Sequence, residues 1–162
     1  MNKLKYLGYS IVFQEIPGEV TLAINISGCP HKCEGCHSEY LWEYEGNYVS
    51  DDLVGLLEEY KEFITCVCFM GGDQSPIELL QLAETIEAYG LKTAIYSGLP
   101  NRLCLYPITS WFDYIKVGPY IKELGGLSSP NTNQKMYHQI DKHSNIWEDI
   151  TYKFQKKGGG SK

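Results

Sequence analysis

Apolar residues along this chain fall in short runs whose spacing alternates between that of strands and that of helices. Tyr9 to Phe13 reads as a short strand, and Glu15-Ile16-Pro17-Gly18-Glu19 as the turn after it. Val20 to Ser27 alternates as a second strand that delivers Gly28 and a cysteine-bearing loop at its C-terminal end. Leu53, Leu56, Leu57 and Tyr60 then recur at helical spacing behind Ser50, which is placed to cap that helix. Ile64 to Met70 is unbroken and apolar, the pattern of a strand buried on both faces, and it stops at Gly71-Gly72-Asp73. Ser75-Pro76-Ile77-Glu78 opens a second helix, with serine as N-cap, proline at N1 and glutamate at N3. Leu79, Leu82, Ala83 and Ile86 form its buried stripe, and Gly90 ends it. Lys92 to Ser97 and Phe112 to Val117 read as further strands, closed by Gly98 and by Gly118-Pro119, and Ile150 to Phe154 as a late edge strand.

Strand–helix–strand alternation predicts an α/β domain built on a parallel sheet with right-handed crossovers. Reactive loops in such sheets gather at the C-terminal ends of the strands. Four chemically suggestive segments fall there: the cysteine loop, Gly71-Gly72-Asp73, Ser97-Gly98 and Lys116 to Gly118. Their coincidence predicts a single site.

Length narrows this picture. With 162 residues the chain makes one domain, 1–155, followed by a Gly- and Lys-rich tail, 156–162, to which no function is assigned. It is short for a complete eight-fold barrel. The formal charge of −6 speaks against a general affinity for nucleic acid, which needs a basic face. With no membrane-length apolar run and no signal-peptide core, the expected location is cytoplasmic. Six cysteines in such a chain read as metal ligands and core thiols rather than disulfides. Cys66 and Cys68 lie in the apolar strand and read as small hydrophobes, although their i, i+2 spacing also places both on one face, where a metal role stays open. Cys104 carries no readable signal.

The chemistry concentrates in Ser27-Gly28-Cys29-Pro30-His31-Lys32-Cys33-Glu34-Gly35-Cys36-His37. The spacing C-x3-C-x2-C puts three thiolates on one loop and supplies no evident fourth. A closed structural metal site takes four protein ligands, and a site with one position open binds a reactant. Iron–sulfur clusters normally take four cysteines, so three point to a [4Fe-4S] cluster with one iron free for a chelating ligand. The competing reading is a Cys3His zinc knuckle completed by His31 or His37, against which stands the lack of a second paired ligand set.

The cysteine spacing is that of the radical S-adenosylmethionine (SAM) enzymes, which this chain resembles. Gly71-Gly72-Asp73 is similar to their Gly-Gly-Glu-type motif, with Asp73 in place of the commoner glutamate. Closer still is a resemblance to the activating proteins of anaerobic ribonucleoside-triphosphate reductases, a small branch of the glycyl-radical activases. It rests on Gly35 before the third cysteine, the Asp after the double glycine, Tyr96-Ser97-Gly98, Asp113 to Tyr120 and Asn131 to Gln134, and spans roughly Phe13 to Tyr137. Related activases often carry an acidic residue two before the lysine, where this chain has Tyr114.

That resemblance implies an incomplete, TIM-like β/α barrel of the radical SAM type with an open side. It implies that Cys29, Cys33 and Cys36 hold three irons while SAM chelates the fourth. One electron then cleaves the sulfonium S–C5′ bond, and the resulting 5′-deoxyadenosyl radical takes a hydrogen atom from a glycine Cα of the large reductase subunit. Gly35, Cys36 and His37 would lie against SAM, and Gly71, Gly72 and Asp73 would position its methionine end. Lys116 is a candidate for the carboxylate and Ser97 for the ribose, though each reads equally as a strand-end lysine and a small turn residue. His31 and His37 read either as tuners of the cluster or as solvated loop residues. A flavodoxin-like, low-potential donor is implied as the electron source. The remaining readings are a small-molecule radical SAM enzyme, of the kind that makes a deazapurine carboxylate, and a non-catalytic metal-binding module. Tyr40, Tyr44 and Tyr48 read as cover for a small core or as a partner surface.

Overall fold

A computed structural model describes residues 3–36 and 38–155; Met1, Asn2, His37 and the tail, 156–162, lie outside it. The described residues form one mixed sheet of eight strands flanked by two α-helices. The strands are β1 (Lys5–Val12), β2 (Thr21–Ile26), β3 (Asn47–Tyr48), β4 (Cys66–Met70), β5 (Lys92–Tyr96), β6 (Tyr114–Val117), β7 (Lys135–Gln139) and β8 (Trp147–Asp149). The helices are α1 (Val49–Tyr60) and α2 (Pro76–Ala88). The sheet order is β3-β1-β2-β4-β5-β6-β7-β8, with β3 and β8 as its two edges, so the sheet is open.

The parallel prediction holds for the centre and fails at both flanks. β2, β4, β5 and β6 run parallel, whereas β1 and β3 on one side and β7 and β8 on the other pair antiparallel. Three of the antiparallel pairs, β1–β2, β6–β7 and β7–β8, join consecutive strands through loops without a crossover helix, and β3 returns to the free edge of β1 after the cysteine loop. β6 also follows β5 through two 3-10 turns (Arg102–Leu105 and Ile108–Trp111) in place of an α-helix. Thr151–Phe154 is a 3-10 turn as well, not the expected edge strand, and the edge is made by Trp147–Asp149 just before it.

Period-two alternation divides the core by sheet face. Leu22, Ile24 and Ile26 of β2, Val67 and Phe69 of β4, and Ile95, Ile115 and Val117 pack with Leu53, Leu57, Leu79, Ala83 and Ile86 of the two helices. The opposite face carries Cys66, Cys68, Ala94, Tyr114 and Met136 under Ile16, Leu127 and Ile150. Cys66 and Cys68 are therefore core thiols, fully buried, and burial pushes both thiols far up from their ordinary value. Ser50 stands inside α1, whose N-cap position is Tyr48. Ser75 holds the N-cap position of α2 without a side-chain capping bond, and Glu78 accepts the Leu4 N–H at 2.8 Å, tying the helix start to the chain's first strand. Tyr40, Tyr44 and Tyr48 are exposed rather than covering the core. No helix among the described residues is long and apolar enough to cross a membrane.

Candidate metal centre

The helix-free face of the sheet ends in a row of side chains set by register: Asn25, Met70, Tyr96, Lys116 and Met136 are successive cross-strand partners on β2, β4, β5, β6 and β7. The first four line a cavity of about 190 Å3 at the C-terminal ends of the parallel strands. Its remaining wall comes from the loops that follow those strands. Cys29, Cys33 and Cys36 arrive from the loop after β2, Gly71, Gly72 and Asp73 from the loop after β4, and Ser97 and Gly98 from the loop after β5. Of the ten residues singled out for the site, eight thus line one cavity. Gly35 faces Tyr120 and Lys122 instead, and His37 lies outside the described residues. A wider groove of about 520 Å3, between α1 and α2, gathers none of the cysteines and is walled largely by Leu53, Val54, Ile77 and Leu82.

The cysteine loop is fastened on both sides. The N–H of Gly28 donates to Glu43 O at 3.1 Å and that of Cys29 to Leu41 O at 3.0 Å. Within the loop Cys36 N–H donates to Cys33 O at 3.1 Å, and the Cys36 sulfur accepts the Ser38 N–H at 3.3 Å. The three thiols are partly exposed, and no disulfide joins them. Among the described residues no group of three or more His, Cys, Asp or Glu side chains is arranged to hold a metal ion. A four-iron cluster makes a different demand, since each cysteine binds its own iron and the sulfurs need not meet at a point. Three thiols on one cavity, an N–H already directed at one of them, and apolar walls from Ile26, Leu41 and Met70 fit that cluster.

Opposite the thiols stands a polar group centred on Asp73. Its Oδ2 accepts the Ser97 hydroxyl at 2.5 Å and contacts His31 Nε2 at 2.9 Å, and its side chain is 4 % exposed. His31 is thus not a solvated loop residue; through Nε2 it ties the cysteine loop to the loop after β4. Gly98 makes room for it: a Cβ there would meet the imidazole at 2.7 Å. Beside them the Gln74 amide donates to the carbonyls of Ser27 and Gly28 at 3.4 and 3.3 Å, and its own oxygen is buried without a partner among the described residues.

Lys116 is buried, not a surface lysine. Its ammonium donates to the carbonyls of Gly118 at 3.0 Å and Ser97 at 3.3 Å. Burial pulls its pKa down to about 8, against the opposing pull of Cys33, Asp73, Cys36 and Cys29. Gln134, on the wall nearby, donates to the same Gly118 carbonyl at 3.3 Å. Gln74, Trp42, Tyr120 and Gln134 are cavity residues that sequence reasoning left without a role. Tyr120 and Gln134 carried a signal, as parts of the family-like segments Asp113 to Tyr120 and Asn131 to Gln134; Gln74 and Trp42 carried none.

The cavity is the feature for which a family match is informative. Residues 17–107, more than half of the chain and including all three loop cysteines, match the family described as a 4Fe-4S single cluster domain. No curated protein and no solved structure matches the chain. The chain belongs to the 4Fe-4S single cluster domain family and is an iron–sulfur protein.

Proposed function

We propose that this protein is a radical SAM activase that generates a glycyl radical on an anaerobic ribonucleoside-triphosphate reductase. What supports the reading is one observation: the open-ended cysteine loop shares a cavity with Asp73, Ser97 and Lys116, a set able to hold a zwitterionic ligand. The proposal includes the fold class, with the open sheet as an incomplete barrel, and the partners, a large reductase subunit and a flavodoxin-like donor.

Cys29, Cys33 and Cys36 would hold the cluster. With SAM bound, that group supplies the one-electron cleavage of the sulfonium and the hydrogen-abstracting radical it yields. The chain's own residues bind and orient. The buried Lys116 ammonium, which donates to two carbonyls and lies over the Tyr96 ring, offers a charge-assisted bond to the ligand's carboxylate. Asp73 is fixed through Oδ2 by Ser97 and His31, which holds its carboxylate in place to pair with the ligand's ammonium. The apolar side chains of Ile26, Leu41 and Met70 keep water from the reacting centre.

Against a zinc module completed by His31 stands the contact of that ring with Asp73; His37, the other candidate ligand, lies outside the described residues. The test is incubation of the anaerobically reconstituted protein with SAM, a low-potential reductant and the large subunit of an anaerobic reductase. A glycyl-radical EPR doublet on the large subunit is expected. SAM cleavage without that doublet would overturn the choice of partner.

A further inference from the structure

Trp42 is held beside the first cysteine by its neighbours in sequence. Leu41 O accepts the Cys29 N–H and Glu43 O accepts the Gly28 N–H, at 3.0 and 3.1 Å, so Trp42 sits between two backbone bonds to the start of the cysteine loop. It lines the cavity that the three thiols line. Its indole Nε1 is shut off from solvent and has no hydrogen-bond partner among the described residues. An indole nitrogen is a donor only, and buried donors are rarely left unmet. The same cavity is lined by three thiol sulfurs, which accept hydrogen bonds weakly as thiols and strongly as thiolates on iron. The other two tryptophans, Trp111 and Trp147, pack against the helix-side core and do not line this cavity.

We propose that the Trp42 indole N–H donates a hydrogen bond to a sulfur of the cluster bound by Cys29, Cys33 and Cys36, and thereby raises the cluster's reduction potential. The inference rests on the reading of those cysteines as cluster ligands, and it stands whether or not SAM is the ligand of the fourth iron. The physical basis is that an electron added to the cluster spreads over its sulfurs. A donor aimed at one of them stabilises the reduced form more than the oxidised form. The Ser38 N–H at the Cys36 sulfur acts in the same direction from the backbone. Trp42 is the side-chain counterpart, and unlike a backbone donor it can be removed by substitution.

The test compares the reconstituted protein with its Trp42→Phe variant, which keeps an aromatic ring and deletes the donor. Redox titration followed by EPR is expected to give a more negative potential for the variant; an unchanged potential would overturn the proposal. A second measurement needs no variant. In protein carrying 15N-indole tryptophan, pulsed ENDOR of the reduced cluster is expected to show a 15N coupling and an exchangeable proton that vanishes in D2O. Iron and sulfide analysis of the same sample reports on the cluster itself, so a loaded cluster without the 15N coupling overturns the tryptophan's role alone.

Discussion

Lys116 shows how one side chain's surroundings define what it waits for. It is a cation with two carbonyl partners, buried in a wall that also carries three thiols and Asp73. Replacing it with methionine keeps most of the packing and deletes the charge. Lys116→Met is expected to weaken SAM binding by about 10- to 100-fold, the loss of one hydrogen bond to a charged group, read from the SAM concentration needed to change the cluster's EPR signal. Affinity equal to the wild type would remove Lys116 from the site. The thiols allow a sharper test. Cys33→Ala should leave a folded chain that no longer retains a four-iron cluster or cleaves SAM, checked by iron and sulfide content and by 5′-deoxyadenosine formation; retained cleavage would break the ligand assignment. These residues were legible in the sequence because three close cysteines and a glycine-glycine-acid turn are local patterns. His31, Gln74 and Trp42 were not, because their roles depend on partners 42, 46 or more residues away, or on a cavity that exists only once the sheet has formed.

At the scale of elements, the sheet's register delivers the chemistry to one end, and a different polar group holds the other end together. Glu19, buried at the start of β2, accepts from Lys92 Nζ at 2.7 Å, Thr65 Oγ1 at 2.7 Å and Tyr114 OH at 2.8 Å, joining the beginnings of four parallel strands. Burial pushes its carboxyl up, and the three hydrogen bonds and the Lys92 charge outweigh that and leave it below the ordinary 4.5. Lys92 is half exposed, which limits its Coulombic share, so most of the stabilisation lies in the hydroxyl bonds. Glu19→Ala should therefore lower stability by roughly 1–3 kcal/mol at neutral pH, measured by chemical denaturation. A depressed carboxyl stabilises fully above its unfolded pKa and loses that contribution as pH falls through its folded one. The gap between wild type and variant should accordingly close below pH 4.5; a gap that widens in acid would contradict the arrangement. At the other end of β5, Gly98→Ala would set a Cβ at 2.7 Å from the His31 ring. It is expected to displace the imidazole from Asp73 and so to weaken SAM binding as much as His31→Ala does, by the same EPR titration; an undisturbed affinity would separate His31 from the site.

The elements themselves were readable to different depths. β2, β4, β5, α1 and α2 announced themselves because each buries a continuous or periodic apolar face. β7 and β8 did not. Lys135–Gln139 buries only Met136 and Gln139 fully, and Trp147–Asp149 has three residues, too few for a period to register. β7 pairs antiparallel with β6 and β8 with β7, partners that the local sequence cannot see.

For the molecule as a whole, the family match assigns a 4Fe-4S domain, and the open mixed sheet gathers three thiols, an aspartate and a buried lysine at the ends of its parallel strands. The larger core lies on the helix side and a smaller one covers the opposite face, so the chemistry sits at the strand ends, apart from the wider groove between α1 and α2. The claim that joins these features is that the cluster keeps one iron for SAM. Anaerobic reconstitution with iron and sulfide, followed by EPR of the reduced protein with and without SAM, tests it most directly. The expected result is a [4Fe-4S]+ signal that changes shape when SAM is added, with 5′-deoxyadenosine formed. A cluster whose signal is blind to SAM, and from which no 5′-deoxyadenosine arises, would contradict it and leave an electron-carrying iron–sulfur protein.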